Sequence, residues 1–154
     1  SQERLGALIA DGSVSLDLAP VIGPVWVGMS AVSGYAPALS WLEARTPDDA
    51  QASSILGQIY LSGKGVDPDA DRAAKLFQAA AEAGDIQAQY QLSQLYARGE
   101  GVPQDYIAAH KWANLAATAG IDDALKARET VEKLMTAEEI AEAQKQARAY
   151  LAGD

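Results

Sequence analysis

Apolar side chains recur three and four positions apart along most of this chain, the period of a helix that buries one face. Ala52, Leu56, Ile59 and Tyr60 hold that spacing, and so do Tyr106, Ala109, Trp112, Ala113 and Ala116 further on. The residues between such stretches fit helix ends. Gly63-Lys64-Gly65 and Gly99-Glu100-Gly101 stop the first helix of each pair, because glycine accepts the left-handed backbone of a C-cap. Asp69 and Asp105 are placed to cap the helices that follow, and Gly120 ends the second of these.

The pattern repeats at a fixed interval of 36 residues. Ala52, Leu56, Tyr60, Gly63, Gly65, Val66, Ala73, Lys75, Ala80, Ala81 and Gly84 return as Ala88, Leu92, Tyr96, Gly99, Gly101, Val102, Ala109, Lys111, Ala116, Ala117 and Gly120. Two tandem helix-turn-helix units follow, near 50–85 and 86–121. Neither unit can bury its apolar face alone, so each must stack on a neighbour.

These residues carry a family resemblance. Leu56-Gly57-x-x-Tyr60-x-x-Gly63-x-Gly65-Val66, followed by Ala73-x-Lys75 and Ala80-Ala81-x-x-Gly84, resembles the Sel-one-like repeat (SLR), a relative of the tetratricopeptide repeat. Gly99-Glu100-Gly101-Val102-Pro103-Gln104-Asp105-Tyr106 through Lys111-Trp112 resembles it more closely still. The resemblance implies an all-α fold, a short right-handed α-solenoid of helix-turn-helix repeats.

The tail reads as an incomplete repeat plus a cap, over 122–154. Its first helix covers Leu125 to Leu134, and Thr136-Ala137-Glu138-Glu139 is a capping box for the last. Ile140, Ala143, Ala147 and Leu151 form the apolar face of that capping helix, with Glu142, Lys145 and Arg148 outside it. Met135-Thr136-x-Glu138-x-Ile140-Ala141-x-Ala143-Gln144 resembles the terminal cap of many bacterial, often exported, family members.

Residues 1–49 depart from the pattern and read as a degenerate first repeat. Leu5-Gly6 and Gly12 keep the spacing of Leu56-Gly57 and Gly63, so 2–11 is expected as a first helix. Tyr35 and Trp41 keep the spacing of Tyr106 and Trp112, so 35–45 is expected as its partner. The connection between them is longer than a repeat needs, and 13–34 is expected as an irregular apolar loop insertion. Thr46 as N-cap with Pro47 at the first helical position is expected to open the next helix.

Composition narrows the function. The 32 alanines let helices approach closely, and aromatic residues make up only 6%. A net charge of −9 and a pI near 4.5 disfavour nucleic acid and anionic lipid as partners. With no cysteine there is no disulfide, thiolate nucleophile or thiolate zinc site. A single histidine leaves no multi-histidine metal centre. Leu18 to Leu42 has no charge, but prolines and glycines interrupt it and its continuous apolar part, Leu18–Val32, falls short of the roughly 20 residues a spanning helix needs. The chain begins at Ser1 with no basic and apolar leader, so any signal peptide is expected to have been removed.

Candidate sites follow from this frame. In the family the first helices line the concave face, which puts Gln51, Ser54 and Gln58 on one stripe beside Gln87, Tyr90 and Gln94. A tyrosine among amides and hydroxyls suits recognition of a peptide or protein surface; a plain solvated helix face is the alternative. In 13–34, Trp26 and Met29 centre either a hydrophobic docking loop or a cap folded over the first repeat. Asp67-x-Asp69-x-Asp71 imitates a calcium loop, but Arg72 and Gln78 stand where glycine and glutamate are needed, so capping explains it. His110 reads as a packed histidine. Cysteine-rich family members are linked to β-lactam chemistry, but their cysteine pairs are absent here.

The sequence therefore predicts a non-enzymatic adaptor, scaffold or regulator without cofactor or metal. The resemblance implies a protein partner, in bacteria often in the periplasm or cell envelope, with the cytoplasm as the other possibility. The alternative is an accessory subunit of a membrane complex, held by the apolar loop. Surplus negative charge predicts a basic partner and a salt-sensitive on-rate.

Overall fold

A computed structural model describes residues 2–11 and 23–153. Among them are nine helices and no strands: α1 (Gln2–Ala10), α2 (Gly23–Val32), α3 (Ala36–Glu43), α4 (Ala50–Ser62), α5 (Ala70–Glu82), α6 (Ile86–Arg98), α7 (Tyr106–Thr118), α8 (Asp122–Glu132) and α9 (Ala137–Ala152). They stack as a short α-solenoid, with α4 paired to α5 and α6 to α7. No described helix is long and apolar enough to cross a membrane.

Local chemistry sets the ends of the paired helices. Asp49, Asp69, Asp85 and Asp105 each accept a bond from the backbone N–H three residues on, at 2.7–3.0 Å. Gly63 and Gly99 close α4 and α6 in the left-handed region. Thr136 and Glu139 form the reciprocal capping box of α9. Thr46 does not cap α4. Its hydroxyl donates to the Glu43 carbonyl at 2.9 Å, the Thr46–Pro47 bond is cis, and α4 begins three residues beyond Pro47. Asp49 caps it instead, since a carboxylate caps at least as well as a hydroxyl.

The core lies between the two helix rows. Ala52, Leu56 and Ile59 of α4 meet Ala73, Phe77 and Ala80 of α5, and Ala88, Leu92 and Leu95 of α6 continue the layer. Alanine brings the backbones close, and Phe77, Trp112 and Tyr60 fill the remaining space. Stacking is close where the turn of one repeat rests on an earlier helix. A side chain on Gly101 would overlap the Ala70 carbonyl, and one on Gly65 the Ala31 carbonyl. Tyr60 donates to Glu43 at 2.8 Å, and Tyr96 donates to Gln78 at 3.2 Å in the next repeat. Burial pushes both phenols above their ordinary pKa, helped at Tyr60 by the Glu43 carboxylate.

The expected apolar loop 13–34 is corrected by α2. Residues 12–22 lie outside the described residues, but Gly23–Val32 is helical. The residues that looked like helix breakers have other uses. Pro24 sits in the first turn, where a missing N–H breaks no helical bond. Gly28 faces Ile55 of α4, whose methyl a Cβ would strike, so α2 and α4 pack closely. Gly6 of α1 likewise rests on the Trp26 carbonyl, and the buried Ser30 hydroxyl bonds the Glu3 carbonyl. The helix at 2–10 therefore packs along α2, and α2 stands beside α4 in the row where the first helices of the repeats lie.

At the other end Ala143 and Ala147 of α9 are buried, and α9 packs on α7. Leu151, expected on the apolar face, is 68% exposed. Tyr150 takes the contact instead: its hydroxyl donates to the Ala81 carbonyl at 2.9 Å and accepts from Gln89 at 3.2 Å. Its ring meets Trp112 edge-on at 5.4 Å. Lys111 lies over both rings, and burial lowers its pKa.

Candidate interaction surface

Four helices, α2, α4, α6 and α8, present their free faces along one side of the solenoid, and three hollows follow one another there. The first, about 410 Å³, lies between α2 and α4 and is lined by Val25, Gly28, Met29, Val32, Ile55 and Gln58, with Glu3 of α1 at its edge. The second, about 270 Å³, lies between α4 and α6 and gathers Gln51, Ser54, Gln58, Gln87 and Gln91, again with Val25. The third, about 340 Å³, opens between α6 and α8 and includes Tyr90, Gln94, Asp123, Lys126 and Thr130.

The six stripe residues expected on the concave face therefore lie on this side, but in two hollows. Gln51, Ser54, Gln58 and Gln87 share one, whereas Tyr90 and Gln94 line the next. Met29 joins Gln58 in the apolar hollow and is 44% exposed. Trp26 does not: it is half-buried and packs against the core. Val25, Val32, Ile55, Gln91, Asp123 and Lys126 were absent from the expected set. The period would have found two of these, by carrying Gln51 through Gln87 to Asp123 and Ser54 through Tyr90 to Lys126.

Charge is sparse at the middle of this surface, where Asp85 lines the hollow. The sequence of α4 has no ionisable residue except Tyr60, which points into the core, and α6 has no Asp, Glu or Lys and only Arg98 at its last position. Asp85 is engaged as the α6 cap. Ion pairs lie elsewhere, as between Arg72 and Glu43 at 2.8 Å and between Lys126 and Asp123 at 3.4 Å.

His110 is outside the surface. Its side chain is 1% exposed, and its Nε2 lies 2.8 Å from a Glu132 oxygen that also neighbours Arg128. This links α7 to α8 and leaves the imidazole out of reach of a substrate. Asp69 caps α5 as expected, and among the described residues no cluster of His, Asp or Glu is arranged to hold a metal ion.

A family model described as Sel1 repeat matches residues 50–85 and 86–121. Among solved structures the chain is similar to c5321, described as a protective antigen present in uropathogenic Escherichia coli strains displaying an SLR fold, at 27% identity and a TM-score of 0.71. That match covers 98% of this chain but 37% of c5321, so the chain spans little more than a third of that relative. It is also similar to a Sel1 repeat protein from Oxalobacter formigenes, at 27% identity and a TM-score of 0.61, over 84% of this chain and 86% of the other. No curated protein matches the sequence.

Proposed function

We propose, from the premise that this chain is a Sel1-repeat α-solenoid, that it is a non-enzymatic interaction module of the bacterial cell envelope that binds a protein partner through the inner faces of α2, α4, α6 and α8. Sel1 repeats generally serve protein–protein interaction. The observation that carries the reading is the row of three adjoining hollows, where polar side chains of α4 and α6 stand beside core residues such as Ile59, Phe77 and Val131. Burial of His110 and the absence of cysteine support a non-catalytic role. Description of the similar c5321 as a protective antigen supports the envelope.

A second reading has one observation in its favour. Val25, Met29 and Val32 are each at least 40% exposed on one helix, an apolar edge suited to an accessory subunit held against a membrane complex. Co-purification from envelope and soluble fractions tests both. We expect a stoichiometric protein that is lost from the Tyr90→Ala, Met29→Gln double variant. A partner retained by that variant, with its melting temperature unchanged, refutes the inner-face assignment. Retention only in detergent extracts, abolished by Met29→Gln alone, favours the accessory subunit.

A further inference from the structure

We infer that Lys111 is an acylation site: its amine takes an acyl group from an activated donor, an acyl phosphate or a thioester, and the modification tightens the junction of α7 with α9. The inference is independent of the interaction-module reading above.

The first observation is where the six lysines stand. Lys64, Lys75, Lys126, Lys133 and Lys145 are exposed, and Lys111 alone is half-buried. Lys126 and Lys145 lie 3.4 and 3.8 Å from Asp123 and Glu142, each one turn away. Lys111 makes no ion pair among the described residues. Its Nζ lies instead 4.4 Å from the centre of the Trp112 ring and 5.8 Å from that of Tyr150. Lys75, its counterpart one repeat earlier, is followed by Leu76 and stands in solvent, so the aromatic seat belongs to the second repeat.

The second observation is what that seat does to the amine. An ammonium drawn out of water without a counter-ion is disfavoured against its neutral form, and ring faces return only part of the lost hydration. Burial accordingly lowers the pKa of Lys111, and the Glu82 carboxylate offsets this only in part. The neutral amine carries the lone pair that acyl transfer needs. A lower pKa also makes a nucleophile intrinsically weaker, but, as with thiols, the gain in free base is the larger effect. Half-burial leaves the amine open to a small donor.

In the step itself the Nζ lone pair attacks the carbonyl carbon of the donor and a C–N bond forms. The bond from that carbon to phosphate oxygen or to sulfur breaks, the leaving group keeps the electron pair, and the surplus amine proton passes to water. The product amide is uncharged and stable, so the step is a modification and no turnover follows. Because the charge of Lys111 opposes folding, its removal strengthens the seat between Trp112 and Tyr150.

The test treats the folded chain with limiting acetyl phosphate and, separately, with acetyl-coenzyme A, and follows each lysine by mass spectrometry. We expect Lys111 to be acetylated several-fold faster than Lys75, and the donor that reacts identifies the source. Tyr150→Phe, which keeps the ring, should retain the preference, whereas Tyr150→Ala and unfolding in urea should both abolish it. Lys111→Gln, standing in for the acetylated chain, should raise the melting temperature by about 2–4 °C, and Lys111→Arg, which keeps the charge, should not. Labelling of Lys75 at the same rate or faster, or no reaction of Lys111 with either donor, overturns the inference. So does a preference that persists in Tyr150→Ala or in urea, because the aromatic seat is then not its cause. A lower melting temperature in Lys111→Gln also overturns it, since the modification would loosen the junction.

Discussion

The turn between α6 and α7 gives a quantitative test of how the repeats stack. Gly101 has φ +69° and rests on the first turn of α5, where a Cβ would overlap the Ala70 carbonyl and come within 3.0 Å of the Asp71 nitrogen. Gly120 has φ +104° with nothing within 4 Å of its Cβ position. Alanine at either site forces an L-residue into the left-handed region, at a cost of about 1–2 kcal/mol. Only at Gly101 must two backbones also separate, and such overpacking adds about 1–3 kcal/mol. Gly101→Ala should therefore lose about 2–5 kcal/mol and Gly120→Ala about 1–2 kcal/mol. For a chain of this length, each kcal/mol shifts Tm by about 2–4 °C, so the first variant should melt about 10 °C low and the second about 4 °C low. Circular dichroism melts with parallel urea titrations measure both, and Gly65→Ala should follow Gly101→Ala. Equal losses at Gly101 and Gly120 would refute the reasoning, because the turn would then be free to move off α5.

His110→Ala removes a buried ring and its bond to Glu132 and should cost about 2–4 kcal/mol in urea unfolding. The same variant should have no effect on hydrolysis of a generic ester; a robust rate that it abolishes would end the non-enzymatic reading. Tyr150→Phe, which loses the bonds to Ala81 and Gln89, should cost about 0.5–1.5 kcal/mol for each bond. Alkaline stability follows from the raised phenol pKa values of Tyr60 and Tyr96. The folded state holds those protons longer than the unfolded one, so their contribution is complete below about pH 10 and is lost as pH rises through the folded pKa. Lys111 acts oppositely: its pKa is lowered, so its cost to folding is relieved as pH rises. Urea midpoints from about pH 9 to about pH 11 should thus fall less in Tyr60→Phe and more steeply in Lys111→Met than in the wild type.

Much of the fold was legible because the repeats state it twice. Leu56 and Leu92, Tyr60 and Tyr96, or Asp69 and Asp105 are each explained by one set of physical demands, met again 36 residues later. The misreadings fall where no second copy disciplines the first. Pro24 and Gly28 look like breakers until position is known, and only the packing puts the proline in a first turn and the glycine against Ile55. Thr46 and Asp49 are both good caps, and sequence offers no means to choose between them. The stripe of Gln51, Ser54, Gln58, Gln87, Tyr90 and Gln94 followed from helical spacing, but not its division between two hollows, which depends on how far apart α4, α6 and α8 stand. Trp26 and Met29 are three residues apart yet differ in surroundings, since only the partners of α2 decide which of its sides is covered.

The reach of Tyr150 alters how the molecule should come apart. In an open stack of repeats each unit feels only its neighbours, so units can melt one by one from an end. Here a hydroxyl four residues from the final Asp154 grips the carbonyl of Ala81, 69 positions earlier, across the whole of the second repeat. A segment that lies beyond both repeats in the chain is thus the one that completes the junction between them. Loss of the last turn of α9 should loosen α5 and α6 as well as α9 itself, which makes the cap a clasp on the array and its removal a remote injury.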